Sequence, residues 1–330
     1  DMGNNYLEED ALSPICNMKS DFRSYVKKRK NIENRRMSGN GLPDYAFVTD
    51  YEYRKKLDAI PHFYSMAKKI CATYASRTLQ EVNLTGMLVG PDQYPDVYQM
   101  GSDCARTLGI GIPNIYIVND QTLNAYTIGT DDIEPLIVIH SGLYERMTPG
   151  ELRCVIGHEC GHIHNQHGIY NMLEQLMVAA GTTAVGLFST QLMSLMTMGA
   201  EYLLNVWSRA AEVTCDRAAL ICCSQIEDAY RVNAKLLYGA AIGDRESVNL
   251  EALKKQFEMQ MVTLVRLEEL TSTHPTSVRR ILAEMEFAQC EVFYQWRPEL
   301  KEAGQKVRSR KETDERCKRY VEVLRNEKKG

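Results

Sequence analysis

The sequence has no Cys-x-x-Cys pair, no internal repeat and no excess of positive charge. Its ten cysteines are irregularly spaced, which favours a reducing compartment over a secreted disulfide framework. A net charge of −4 argues against a general nucleic-acid binder, so we predict no nucleic-acid partner. The first residues are polar, so no cleavable signal peptide is expected. These features together predict a cytoplasmic protein, with membrane association as the alternative.

An apolar fraction of 44% and a charged fraction of 25% are typical of a globular protein. Composition divides the chain into three regions. Residues 1–45 are polar with a basic run at 23–36, which indicates a solvated arm or, alternatively, a regulatory arm whose Cys16 could block a metal. Residues 46–297 carry the apolar periodicity of the main domain. Residues 298–330 alternate positive and negative charges, which predicts a solvated C-terminal helix.

One short run carries the chemistry: His158-Glu159-Cys160-Gly161-His162. Residues four apart lie on one face of a helix, so the two histidines can bind one metal ion. Glu159 lies beside them, where its carboxylate can accept a proton from metal-activated water. The alternative is that these are ordinary polar residues on a helix face, and the neighbouring glutamate argues against it.

The surrounding residues predict that the run lies on a helix packed against a sheet. Thr148 and Glu151 have the spacing of a capping box, and Pro149 suits the first helical position. Upstream, the apolar segments 115–118 and 136–139 are predicted to be short strands.

A catalytic zinc takes three protein ligands, so a third ligand must come from outside the run. The elongated motif with a third histidine six residues later does not occur, and we interpret His164 and His167 as surface residues or residues behind the ligands. Glu212, on a later predicted helix, offers the carboxylate. Asp216 lies four residues on, on the same face, and is expected to accept the distal N–H of His158. The alternative is an exposed charged helix face.

At this point the chain resembles the zinc metallopeptidase family that includes the CAAX prenyl endopeptidase, HtpX and the mitochondrial Oma proteases. The resemblance runs from about residue 49 to about residue 295. Four motifs carry it, in the order found in the family: 124–129, 143–162, 208–219 and 272–281.

The resemblance implies one Zn²⁺ per chain, bound by His158, His162 and Glu212, with Glu159 as the general base. It also implies that His274 approaches the metal, where it would either block the water site or steady the oxyanion. The expected reaction is therefore hydrolysis of peptide bonds in a peptide or protein substrate. The alternative is a latched, zymogen-like or chaperone-like binding module with a blocked zinc site.

Further roles follow from the same resemblance. Arg280 is expected to hold the loop of His274 by ion pairing. Asn124, Ala125 and Tyr126 resemble an edge-strand segment along the cleft and are expected to bind substrate. Cys160 departs from the family pattern, where an aliphatic residue is commoner, and should point to the core.

Residues 175–200 contain no charged side chain, although they include several glutamines, glycines, serines and threonines. The stretch is long enough to cross a bilayer, but its hydropathy is weak for a lipid-facing helix. We interpret it as a buried or interface-forming helical hairpin, with self-association or membrane contact as its two candidate roles. The predicted fold is therefore a mostly helical α+β, zincin-like (gluzincin) domain with a small sheet at the active-site cleft.

Overall fold

A computed structural model describes residues 41–180, 200–238 and 277–321, together with 249, 251–252, 255–256 and 259. Three sequence predictions lie wholly or largely outside these ranges: the N-terminal arm up to residue 40, most of the uncharged stretch 175–200, and His274 with its loop.

The described ranges are mostly helical, as predicted. In chain order the helices are α1 (Val48–Asp58), α2 (Phe63–Thr85), α3 (Pro95–Leu108), α4 (Ser141–Arg146), α5 (Pro149–His164), α6 (Gly168–Ala180), α7 (Ala200–Cys222), α8 (Ile226–Tyr238), α9 (Ser277–Phe287), α10 (Glu291–Trp296) and α11 (Arg310–Val321). None of these helices combines the length and the apolar character that a bilayer span requires.

The strands form one small mixed sheet. They are β1 (Met87–Leu88), β2 (Asn114–Val118), β3 (Ala125–Thr130) and β4 (Ile133–His140), in the spatial order β1-β2-β4-β3. The parallel pair β2 and β4 corresponds to the two apolar segments predicted as strands, and β3 lies antiparallel to β4 at one edge. This confirms the predicted α+β class with a small sheet.

Helix α5 begins as its sequence predicts. Thr148 Oγ1 accepts a hydrogen bond from the backbone N–H of Glu151 at 3.3 Å, and Glu151 Oε2 accepts one from the backbone N–H of Thr148 at 2.8 Å. Pro149 occupies the first turn. Lys235 from α8 donates to the same Glu151 oxygen at 2.6 Å, so this capping carboxylate also ties α5 to a neighbouring helix.

Helices α5 and α7 pack closely because α5 presents glycines to α7. A Cβ added at Gly161 would lie 2.8 Å from Ala218 Cβ and 3.1 Å from Cys215 Cα, and one added at Gly157 would lie 2.7 Å from Cys222 Cβ. Cys160 is fully buried in the core, as predicted. The close approach places the carboxylates of α7 beside the histidines of α5.

Helices α1 and α2 are separated around Pro61, where a proline limits the continuation of a helix. One sequence prediction needs correction. Within the described residues the charged C-terminal segment is α-helical only over Arg310–Val321, after a short 3-10 turn at Pro298–Leu300, and this helix is not simply solvated. Cys317, Tyr320 and Val321 recur at helical spacing and are buried in one cluster with α9 side chains, while charged residues occupy the other face.

Candidate active site

A cleft of about 610 Å³ has walls formed by α5, α7, α8, α9 and the edge strand β3. A cleft of this size suits a ligand site. Its lining contains every predicted site residue that the structure describes: Asn124, Ala125, Tyr126, His158, Glu159, His162, Glu212, Asp216 and Arg280. The predicted residues therefore meet in one place, although they come from four separate segments of the chain.

The two predicted histidine ligands both face Glu212, at distances close to those between two ligands of a tetrahedral zinc ion. His158 Nε2 lies 3.5 Å from Glu212 Oε2, and His162 Nε2 lies 3.4 Å from Glu212 Oε1. Ligands placed about 2.0–2.1 Å from a tetrahedral zinc are separated from one another by roughly 3.3 Å. Two imidazole nitrogens and one carboxylate are also a donor set that catalytic zinc uses. These residues therefore fit a zinc ion.

Cys215 offers a competing third ligand. One ligand atom each from His158, His162 and Cys215 lie within 4.8 Å of one another. We favour Glu212, because its oxygens face the Nε2 atoms of both histidines at about the separation expected between two ligands of one zinc ion. The sulfur of Cys215 instead lies 3.6 Å from Nδ1 of His167, on the buried side of the rings. Burial also raises the pKa of the Cys215 thiol well above its usual value.

His158 is held from behind by a carboxylate. Its Nδ1 lies 3.0 Å from Asp216 Oδ1, as the spacing on α7 predicts. Arg280 holds Asp216 through two hydrogen bonds, from Nε to Oδ2 at 2.8 Å and from the terminal nitrogen to Oδ1 at 2.6 Å. Burial acts to raise the pKa of Asp216, but Arg280 and His158 outweigh it and hold that pKa below its usual value.

Arg280 also reaches Glu212, at 3.2 Å from Oε2. The partners of Arg280 that the structure describes therefore include two carboxylates of the site itself. The sequence resemblance associates Arg280 with the loop of His274, and that loop lies outside the described residues.

His162 is held from behind by a second histidine. Its Nδ1 lies 3.0 Å from Nδ1 of His167. His167 Nε2 lies 2.9 Å from Asp50 Oδ2 on α1, and both residues are buried. Burial lowers the pKa of His167 to about 4, although Asp50 opposes this change. His167 is thus not a surface residue, and neither is His164, which is buried against the hydroxyl of Tyr45 at 2.8 Å.

Asp50 accepts hydrogen bonds from three further side chains. Trp207 Nε1 lies 2.9 Å from Oδ1, Arg54 lies 3.1 Å from the same oxygen, and Thr214 Oγ1 lies 2.9 Å from Oδ2. Burial opposes the charge on Asp50, but His167 and Arg54 hold its pKa well below the usual range. Asp50 is therefore a fully enclosed carboxylate anion.

The carboxylate of Glu159 is oriented by the sheet. Thr127 Oγ1, on β3, donates a hydrogen bond to Glu159 Oε2 at 2.7 Å, and Glu159 is almost fully buried within the cleft lining. Strand β3 pairs with β4 along one edge, and no other described strand pairs with it. The amide of Gln175 lies 3.5 Å from the backbone oxygen of Thr127, at the limit of a hydrogen bond.

Sequence reasoning did not identify several groups that line the cleft. Asn233 donates to Glu284 at 3.0 Å, and burial raises the pKa of Glu284 well above its usual value. His140, the last residue of β4, lies beside the start of β3, where its ring contacts that of Tyr126. Asn233, Glu284 and His140 do not belong to any of the sequence motifs. Only helical periodicity could have indicated Glu284, because it lies four residues after Arg280 and therefore on the same face of α9.

Comparison with known proteins supports the resemblance. The model of peptidase family M48 matches residues 91–286. The plastoglobule-localized metallopeptidase 48 of Arabidopsis thaliana chloroplasts is 30% identical over 215 residues, which cover 64% of this chain and 60% of that protein. An HtpX protease homologue of Streptococcus uberis is 32% identical over 108 residues, 33% of this chain and 35% of that protein.

The matched region thus spans three fifths of the plastoglobule protein and about a third of the HtpX homologue. The family match extends over more than half of the chain, and it includes both the histidine run and the carboxylates that face it. This chain belongs to peptidase family M48.

Proposed function

We propose that this protein is a zinc-dependent endopeptidase. The observation that carries the proposal is that His158 and His162 each place Nε2 within 3.4–3.5 Å of a Glu212 oxygen, close to the spacing of zinc ligands, with Glu159 beside them in one cleft. The match to a peptidase family supports the same conclusion independently. The relatives' names describe a metallopeptidase and a protease, and we extend that activity to this chain.

His158, His162 and Glu212 would hold one Zn²⁺ per chain. A zinc ion in such a site polarises the scissile carbonyl and lowers the pKa of water from about 15.7 to about 7. Asp216 would fix the orientation of His158 by accepting its Nδ1 proton, and Arg280 would keep Asp216 in place.

Glu159 would act as the general base. The Thr127 hydroxyl occupies Oε2 of Glu159, so Oε1 is the oxygen left to accept the proton of the attacking water. The same carboxylic acid would then protonate the leaving amine. His274 would add a role near the metal, either as a latch or by steadying the oxyanion.

The substrate would be an extended peptide or protein segment. Asn124 precedes β3, and Ala125 and Tyr126 begin it. At these residues, the edge of β3 that faces away from β4 could pair with a peptide as an added strand. Strand pairing uses backbone groups, so it is compatible with many sequences. The natural substrate would then be selected by side-chain pockets along the cleft.

Zinc content and cleavage of casein test the proposal, measured for wild type, Glu159→Gln and Glu145→Gln. Glu145 is an exposed glutamate outside the cleft and provides a matched control. We expect about one zinc per chain in all three proteins. Cleavage should be lost only in Glu159→Gln, because the amide cannot accept the proton.

Equal cleavage by Glu159→Gln and wild type would overturn the mechanism, and absence of zinc from wild type would overturn the proposal. One zinc per chain without cleavage by wild type would instead favour the latched alternative. In that case His274→Ala, or removal of residues 1–45, should release activity.

We further propose a reducing, cytoplasmic location. All nine described cysteines are buried free thiols, which a reducing environment preserves. Residues 175–200 remain our candidate for self-association or membrane contact. Fractionation of cells, followed by sedimentation of the purified protein with and without detergent, distinguishes these possibilities.

A further inference from the structure

A continuous set of buried hydrogen bonds runs from one ligand histidine to the first helix of the domain. It connects His162 Nδ1 to His167 Nδ1 at 3.0 Å, and His167 Nε2 to Asp50 Oδ2 at 2.9 Å. The side chains of His167 and Asp50 are completely inaccessible to solvent. Asp50 also precedes the region that the family model matches, residues 91–286.

The positions of the protons along these bonds can be deduced from one end. Asp50 is surrounded by donors and can only accept, so the proton between it and His167 belongs to His167 Nε2. Arg54 already balances the charge of the Asp50 carboxylate at 3.1 Å, so His167 needs no charge of its own and, as a neutral imidazole, carries a single N–H. Because that proton is on Nε2, His167 Nδ1 is an acceptor. The Cys215 thiol, 3.6 Å from that Nδ1, is a second donor that faces it and agrees with this assignment.

The proton between the two histidines therefore belongs to His162. If His162 Nδ1 carries its proton, its Nε2 keeps a lone pair, and Nε2 is the atom that faces Glu212. The tautomer that a metal ion requires is thus specified at Asp50, two residues away in the hydrogen-bond series. Ligand histidines are usually fixed by a carboxylate or carbonyl in direct contact.

We propose that Asp50 and His167 are positioning residues for the metal site, acting as a relay that fixes His162 in its metal-binding tautomer. This inference rests on the proposed function only in taking His162 as a metal ligand. It assigns a metal-site role to α1.

The substitution Asp50→Asn should reverse the direction of the hydrogen bonds in the relay, because the neighbouring side chains fix the orientation of the new amide. Oδ1 of Asp50 faces Trp207 and Arg54, which can only donate, so the amide oxygen must take that position. The amide nitrogen must then face His167 Nε2, which becomes an acceptor. His167 Nδ1 would carry the proton, and His162 would be driven to the tautomer with its proton on Nε2.

The test compares zinc affinity, measured by competition with a chelating dye, in wild type, Asp50→Asn and Thr214→Val. Thr214→Val also removes a buried hydrogen bond to Asp50, at 2.9 Å, but leaves the carboxylate and the relay direction intact. We expect Asp50→Asn to raise the zinc dissociation constant roughly 10–100-fold. Thr214→Val should bind zinc as wild type does.

A second measurement does not depend on the folding of any variant. Nitrogen-15 chemical shifts of histidine side chains in zinc-loaded wild type should show His167 protonated at Nε2 and His162 protonated at Nδ1. His167 protonated at Nδ1 would overturn the relay.

Equal zinc affinity in wild type and Asp50→Asn would also overturn it, as would equal losses in Asp50→Asn and Thr214→Val. In these cases wild type would still bind zinc and cleave casein, so the proposed function would stand. A wild type that binds no zinc would overturn both proposals together.

Discussion

The two histidines of the site face the same carboxylate but are supported from behind in different ways. His158 is backed directly by Asp216, which is held by Arg280 at the cleft. His162 is backed by His167, which has no access to solvent and transmits the influence of Asp50. The first arrangement is short, charged and beside the cleft, whereas the second is longer and enclosed in the core.

If zinc binds as proposed, one metal site would depend on local and remote parts of the fold at once. Asp216 and Glu212 lie on α7, and Arg280 lies on α9, so the support of His158 comes from helices that line the cleft itself. Asp50 lies on α1, which packs against α7, so the support of His162 depends on how the start of the domain docks. Variants of Glu212, of the contact between α5 and α7, and of either supporting carboxylate can separate the contributions of the two supports to zinc binding.

The largest effect is expected from the group that both histidines face. Glu212→Gln should weaken zinc binding by more than the roughly 100-fold that is the upper range for groups behind the ligands, because it removes a ligand charge. Cys215→Ala is the matched control on the same helix and should retain zinc. Loss of zinc in Cys215→Ala but not in Glu212→Gln would show that the thiol, rather than the carboxylate, completes the site.

The contact between α5 and α7 lies beneath both histidines. A change there should lower the stability of the framework that the two histidines share. Gly161→Ala places a methyl group 2.8 Å from Ala218 Cβ, so α5 and α7 must separate. Overpacking of this kind should lower the free energy of unfolding by about 1–3 kcal/mol. Gly129→Ala, whose new methyl group meets Pro135 at an ordinary 3.4 Å, should be nearly neutral. Urea titration of both variants measures the difference, and equal stabilities would contradict the proposed packing constraint.

The two supports can then be compared by matched amide substitutions. In Asp216→Asn the amide oxygen can keep the position of Oδ1, where it still accepts from His158 and from Arg280. His158 therefore keeps its tautomer, and zinc affinity should fall only about tenfold, the lower end of the usual range. Asp50→Asn should lower zinc affinity by more than Asp216→Asn does, although Asp50 is farther from the ligands. A greater loss in Asp216→Asn would contradict the distinction between the two sides.

The sequence was sufficient for the His158 side because helical periodicity governs it. His158 and His162 lie four apart on α5, and Glu212 and Asp216 lie four apart on α7, so each pair falls on one face. The capping box at Thr148 fixed where α5 begins. The two strands upstream followed from their apolar segments. These features depend on local spacing, which a single sequence displays.

On the His162 side, the sequence left His167 open between a surface position and one behind the ligands, because the helix ends between His162 and His167. Helix α5 ends at His164, and Gln166 adopts a left-handed conformation with φ of 56°. This turn brings the backbone N–H of His167 to within 3.0 Å of the backbone oxygen of His162, so His167 returns against a ring that lies five residues earlier. Helical spacing would place it elsewhere. Asp50 reaches the site only through the docking of α1, a long-range contact without a local signal.

The smallest effect is expected at Glu159, which belongs to neither support. Thr127→Val removes the hydroxyl that donates to Glu159 Oε2 at 2.7 Å but leaves the strand and both histidines unchanged. If that hydrogen bond contributes about 1 kcal/mol to the orientation of the base, kcat should fall about fivefold. Zinc affinity should not change, and Thr127→Ser should restore kcat because it restores the donor. A parallel loss of zinc in Thr127→Val would mean that β3 supports the metal ligands as well as the base, and the division of the site into two separately supported histidines would then be incomplete.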